Sequence, residues 1–283
     1  MERDRPLRLT FERAIIILVP LAIFAACYYD VLIWMYKRYM STDSYYSHGF
    51  LIPFVSAYLV WQKRNKLAEQ QASVSWWGLF ILIAAGLVHL AGTVLYVFSL
   101  SGFSIFLLAI GVTLFLFGKE ITRCVLFPLV FLAFMFPLPD AIVSAISFPM
   151  KEVVADVGVR IADEIGIPVF REGFYITIPA GSLLVGNPCS GLRSLIAFLA
   201  LGSVYAYLGS VSRMRKWILF FSSIPIALLS NIIRVPILIL ISHYWGLSAA
   251  APESFWHDAS GIFVFIMGLV LLLVTGRVLG WKQ

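Results

Sequence analysis

Charge is what this sequence has least of: Asp, Glu, Lys and Arg make up 13% of its 283 residues, against 61% hydrophobic. That scarcity excludes an ordinary soluble domain, in which about a quarter of the residues are charged. No stretch between the apolar runs is long enough to fold as a soluble domain of its own, and the chain has no internal repeat and no low-complexity segment. Cysteine is scarce as well. Cys27, Cys124 and Cys189 show no CxxC spacing and have no histidine close by, which excludes a disulfide framework and a zinc site as readings of the thiols. The strict alternation of a membrane barrel is also missing.

What remains is a series of long apolar runs, at about 14–36, 47–62, 76–96, 98–117, 124–138, 190–208, 217–242 and 260–279. Backbone groups in lipid must bond internally, so these runs predict an all-α polytopic membrane protein of about eight transmembrane helices, with the second and fifth short enough to be re-entrant. The first run follows four arginines and lacks a small-residue cleavage site, so it reads as a retained signal anchor. If the arginine-rich N-terminus is cytoplasmic, fourteen of the 21 basic residues fall on its side of the membrane, five on the other, and Arg193 and Arg234 lie inside spans. That bias predicts cytoplasmic N- and C-termini. It also accounts for the net charge of +6 as topology, with no nucleic-acid partner.

The same topology puts one sizeable segment outside, roughly 139–189, between the fifth and sixth helices. Ile142, Ile146, Met150, Val153, Val154, Val157 and Ile161 recur at helical intervals with Lys151, Glu152, Asp156, Arg160 and Asp163 between them. This pattern predicts an amphipathic helix on the outer face. The stretch PVFREGFYITIPAGSLLVG that follows has β-branched and aromatic residues around an Arg-Glu-Gly turn, which predicts a small hairpin.

Polar residues near span ends matter by depth. Cys189 precedes the sixth span, in VGNPCSGLRSL, and sits at its outer, N-terminal end. Pro188 and Gly191 suit a helix start, where free N–H groups and the positive dipole end favour a thiolate; the alternative is a small buried cysteine beside a capping turn. Arg193, four residues on, falls on the same helical face. Arg234 lies seventeen residues after Trp217, roughly 25 Å up the seventh helix at 1.5 Å per residue and close to the outer surface. Asn231 is one turn below it, and Pro225 and Pro236 free carbonyls in the same helix. A snorkelling arginine is the alternative reading. His243 and His257 bracket the last outer loop, and His48 opens the second span on the same face. His89, within the third span, reads as a packing histidine. A thiol, an arginine and a histidine from three spans at one face are the set that cysteine chemistry uses, for proton transfer and for holding a thiolate or oxyanion.

These residues resemble the exosortases and archaeosortases, multi-pass membrane enzymes that process C-terminal sorting signals. The resemblance rests on SHGFLIPFVSAYLVWQKR at 47–64, MFPLPD at 135–140, GIPVFREG at 166–173, NPCSGLRSL at 187–195, IPIALLSNIIRVPIL at 224–238 and HDASG at 257–261. It implies a single integral-membrane exosortase domain over 1–283, with Cys189 as nucleophile, Arg234 as stabiliser of thiolate or oxyanion, and His257 as general acid and base. Arg193, Asn231, His243 and His48 would support them, with no metal and no organic cofactor. The implied substrates are exported proteins with a short C-terminal motif such as PEP, a transmembrane helix and a basic tail. They would be cut at the outer face of the inner membrane and passed to a surface acceptor the sequence does not identify. The family often accompanies exopolysaccharide loci. Some exosortases carry a further soluble C-terminal domain; this chain ends just past the last span, and Pro188 stands where alanine is expected. Two other classes compete. A transporter or lipid-linked saccharide carrier would use Arg193 and Arg234 to bind an anionic group and leave Cys189 incidental. A structural partner in polysaccharide export would use segment 139–189 as an interaction surface.

Overall fold

Apolar runs without water to bond their backbones must coil, and the computed structural model, which describes residues 18–41, 44–186, 190–252 and 254–282, is helical apart from one small sheet. Helices α1 (Leu18–Cys27) and α2 (Tyr29–Met40) meet at a 71° bend. They are followed by α3 (Leu51–Gln62), α4 (Arg64–Ala68), α5 (Trp76–Val94), α6 (Phe98–Phe131) and α7 (Asp140–Glu164). Strands β1 (Phe170–Glu172), β2 (Tyr175–Ile178) and β3 (Gly181–Leu184) lead to α8 (Leu192–Leu208), α9 (Arg213–Trp245), α10 (Leu247–Ala250) and α11 (Phe255–Val278).

The chain is a polytopic helical membrane protein, but the eight expected crossings are not found. Four helical segments are long and apolar enough to cross, namely α5, Phe98–Met135, α9 and α11, or five if bent α1 and α2 form one span. The shortfall has two causes. Helix α3 has 12 residues and α8 has 17, below the roughly 20 that a hydrocarbon core requires. The runs expected at 98–117 and 124–138 are also continuous as α6 and its extension to Met135, whose two limbs run in opposite directions but count as one segment by length and composition. Yet α6 is not straight: Gly118 has φ 80° and ψ −176°, and the Phe103 and Phe136 rings are 6.2 Å apart, where a straight helix would separate them by roughly 50 Å. The chain doubles back at Gly118. Glycine is required there both for the left-handed φ and because a Cβ would meet Ser73.

This reversal returns α6 to the level at which α2 ends. Tyr39 donates to the Met135 carbonyl at 2.6 Å, Arg38 pairs with Asp140 at 2.6 Å, and the Leu138 N–H donates to Tyr46 Oη at 3.0 Å. Helix α7 starts from that level with a buried face that shares only Val154 with the expected one. Val143, Ser147, Lys151, Val154, Ala155, Gly158 and Ala162 face inward, while Ile142, Ile146 and Val153 are exposed. Small residues win the inner face because they let α7 approach α9 closely, with Gly158 against Val235, and large apolar residues lose nothing by facing lipid. Lys151, expected among the solvated charges, is 6% exposed.

The expected hairpin is a three-stranded antiparallel meander, β1-β2-β3. The Arg-Glu-Gly signal does turn the chain, pairing Glu172 with Tyr175, and a second reversal pairs Ile178 with Gly181. Ile176 and Ile178 sink into a core shared with Val154 of α7 and Ile239 of α9. The sheet is therefore a lid on the α7–α9 pair.

Candidate active site

Arg234 and His257 are brought together by α9 and α11. Arg234 Nη2 donates to the His257 carbonyl at 3.3 Å and Nε to Ser260 Oγ at 3.4 Å, while Ser260 Oγ donates to the same carbonyl at 2.7 Å. The guanidinium thus lies against the first turn of α11. That turn is organised by Ser254, whose Oγ accepts the His257 N–H at 3.2 Å, a side-chain N-cap. In α9, Pro225 and Pro236 each leave the carbonyl four residues earlier without a helical donor, and Asn231 is buried one turn from Arg234.

The His257 ring is 6% exposed for the residue as a whole, and its Nδ1 lies 3.1 Å from the Ala250 carbonyl oxygen. A carbonyl can only accept, so Nδ1 carries the proton and Nε2 of the neutral ring is left as the basic nitrogen. This is the tautomer a general base needs.

Cys189, with Asn187 and Pro188, lies outside the described residues, but both flanks are described. On one side β3 runs out through Val185 to Gly186; on the other, Ser190 is fully buried and its Oγ accepts the Leu192 N–H at 3.2 Å. Gly191 follows with φ +78°, and a Cβ there would lie 2.9 to 3.0 Å from the Asn231 side chain. The helix begins only at Leu192, so the expected placement of Cys189 and Arg193 on one face of a continuous helix does not follow: Gly191 breaks the path between them. What the segment does is press Gly191 onto Asn231, next to Arg234.

Gly191→Ala tests this contact. Left-handed φ alone costs roughly 1–2 kcal/mol for an alanine, and the Asn231 clash adds to it. Gly166, at φ +83° with open space around it, is the control: Gly166→Ala should lower thermal stability by about 1 kcal/mol and leave the site intact, whereas Gly191→Ala should lower both stability and substrate processing. Equal behaviour of the two variants in thermal unfolding and in processing would refute the Gly191 contact.

The supporting residues divide. Arg193 Nε donates to the Ser44 carbonyl at 2.5 Å, tying the start of α8 to the loop before α3. It is within electrostatic reach of both His48 and His257. His48 Nε2 is buried with no hydrogen-bond partner among the described residues, and burial, with Arg193 adding to it, pushes this imidazole down to about 4, so the ring is neutral at pH 7. His243 is exposed on α9, its ring edge-on to Tyr244, nine residues beyond Arg234 and away from the group. His89 accepts or donates with Ser101 Oγ at 2.6 Å and lies 4.0 Å from the Tyr28 ring, the packing role expected of it. Lys151, read in the sequence as one of the charges between the apolar positions of α7, is instead buried within the small-residue stripe of that helix.

An arginine and a tautomer-fixed histidine, held by two helices long and apolar enough to cross a membrane, beside a helix-initiating turn that follows a cysteine in sequence, define a polytopic helical membrane protein with a buried polar cluster. A family model described as transmembrane exosortase (Exosortase_EpsH) matches residues 37–274, and the chain belongs to that family. Comparison with curated proteins and with solved structures finds no match.

Proposed function

We propose that this exosortase is a cysteine transpeptidase that cleaves C-terminal sorting signals of exported proteins at the outer face of the inner membrane. The Cys189 proton passes to His257 Nε2, and the thiolate attacks the scissile carbonyl, with Arg234 balancing the negative charge on sulfur and then on oxygen. As the C–N bond breaks, the imidazolium returns the proton to the leaving amine. A thioester remains on Cys189, and an acceptor nucleophile, or water, attacks it and restores the thiol. The observation that carries this reading is the pairing of Arg234 with the first turn of α11, where His257 presents Nε2 as its free base. The resemblance in the 187–195 motif supplies the nucleophile.

The test is chemical. A reporter bearing a Pro-Glu-Pro motif, an apolar helix and a basic tail, expressed with the enzyme, should form a covalent adduct that neutral hydroxylamine releases as the hydroxamate of the new C-terminus. Shortened reporter accumulating with no hydroxylamine-sensitive adduct, even when acceptor release is slowed by cooling, would count against a thioester.

A further inference from the structure

At the end of the molecule opposite Arg234, a crevice of about 470 Å³ opens between the second limb of α6, the end of α8 and the first two turns of α9. Lys216 stands eighteen residues before Arg234 in α9, roughly 27 Å along the helix axis at 1.5 Å per residue. The end of α11 is tied in here as well, with Trp281 Nε1 donating to the Tyr205 carbonyl at 2.8 Å and Arg215 Nη1 to the Leu279 carbonyl at 3.2 Å. The crevice is therefore separate from the group formed by Arg234 and His257.

Its body is apolar. Phe127, Phe131 and Phe134 come from α6 and its extension, Ala206 and Tyr207 from α8, and Phe220 from α9. The Phe127 and Tyr207 rings stack at 3.9 Å and 3°, which gives the wall a flat aromatic surface. Its mouth is cationic, because Arg213 and Lys216 line it at the start of α9 and Lys63 Nζ lies 5.2 Å from the Tyr207 ring. Lys216 Nζ donates to the Tyr207 carbonyl at 3.1 Å. That bond holds the ammonium at the rim and leaves it further N–H donors. Against these cations α6, α8 and α9 carry one acidic residue, Glu120, and it pairs with Arg123 at 2.8 Å.

An occupant that fits is hydrocarbon along most of its length and negative at one end. A transmembrane helix is 10–12 Å across and packs closely on small residues, not on a wall of phenyl rings. An inorganic anion gains nothing from the apolar length. We propose that the crevice binds a phospholipid with an anionic headgroup, one acyl chain lying along Phe127, Phe131 and Phe220 while the phosphate meets Arg213 and Lys216. Basic pockets between membrane helices favour such headgroups. The distance to Arg234 makes this lipid a bound partner and not a reactant, one that ties the second limb of α6 to the α8–α9 pair. Binding there is independent of the cysteine chemistry.

The experiment measures retained lipid and thermal unfolding. Full-length enzyme, solubilised and stripped of lipid in a neutral detergent, is mixed with phosphatidylglycerol or with phosphatidylcholine of identical chains. Phosphatidylglycerol should be held roughly thirtyfold more tightly at low salt, the effect of two basic contacts, and the preference should shrink at high salt. It should also raise Tm more than phosphatidylcholine does at the same concentration. Arg213→Gln combined with Lys216→Gln should hold the two lipids alike, and Arg213→Lys combined with Lys216→Arg should keep the preference. Ala133→Phe, which puts a ring into the crevice from its α6 side, should weaken retention of both lipids. The conservative pair guards against loss by misfolding. Equal retention of the two lipids by the unaltered protein, an undiminished preference in the double glutamine variant, or unchanged retention by Ala133→Phe would overturn the proposal. So would a rise in Tm with inorganic phosphate equal to that with phosphatidylglycerol, the mark of an anion site with no seat for the chain. A dimer whose formation expels phosphatidylglycerol would put a second copy on this face and overturn it too.

Discussion

Cys189→Ala and Cys189→Ser will each abolish processing of a tagged reporter with a sorting tail, by a factor on the order of 10⁴ to 10⁶, the scale at which removal of a nucleophile silences a cysteine or serine enzyme. Serine is the informative variant. It keeps size and polarity, so a buried cysteine serving only as filler would tolerate it, whereas a hydroxyl beside a base matched to a thiol is a far weaker nucleophile at neutral pH. The measurement is the ratio of shortened to full-length reporter at equal enzyme content of the membrane. The competing carrier reading requires Arg193 and Arg234 but is indifferent to sulfur, so it predicts intact function in both cysteine variants. Undiminished processing in both would sink the enzyme reading.

His257 substitutions come next, with an expected loss of about 10²- to 10⁴-fold, the contribution of a positioned acid–base group. The hydrogen bond to the Ala250 carbonyl allows two distinct substitutions. In His257→Asn the amide nitrogen falls near the place of Nδ1 and can keep the bond to Ala250, so packing survives while Nε2 is lost. In His257→Gln the amide reaches the place of Nε2 but cannot take up a proton near neutral pH. Both variants should accumulate in the membrane and unfold near the native temperature, and both should lose processing. If His257→Asn processes the reporter at the native rate, the proton is handled elsewhere, and His48, with its buried Nε2, becomes the group to substitute.

How much of this was legible beforehand depends on the kind of signal. Arg234 and His257 were legible because intramembrane charge and end-of-span histidines are rare enough to stand out; rise per residue put Arg234 near the end of its helix, and the position of His257 just before the last span put it at the same level. Their mutual contact was not, since it depends on how α9 and α11 are turned about their axes. The fold was legible as helices in lipid but not as a count of crossings, because length decides whether α3 and α8 span and one glycine decides whether α6 is straight. Lys151 shows a deeper limit. The periodicity of Ile142, Ile146 and Val153 selected the right element and the wrong inner face, because in lipid large apolar side chains are as content outside as in. The third strand was missed for a smaller reason: Pro179 and Ala180 give no strong turn dipeptide.

The doubling back at Gly118 reaches further than α6 itself. Because the Phe103 and Phe136 rings meet, the chain leaves this helix on the side from which it entered, and the parity of everything downstream is set there. An unbroken rod of 34 residues would deliver Asp140 to the opposite leaflet. Helix α7, the meander and Lys151 would then stand a bilayer's thickness from Ser44, and the tie from Arg193 to that loop would be out of reach. One backbone torsion, nearly seventy residues upstream of the 187–195 motif, thereby works as a sidedness switch for the whole second half of the protein.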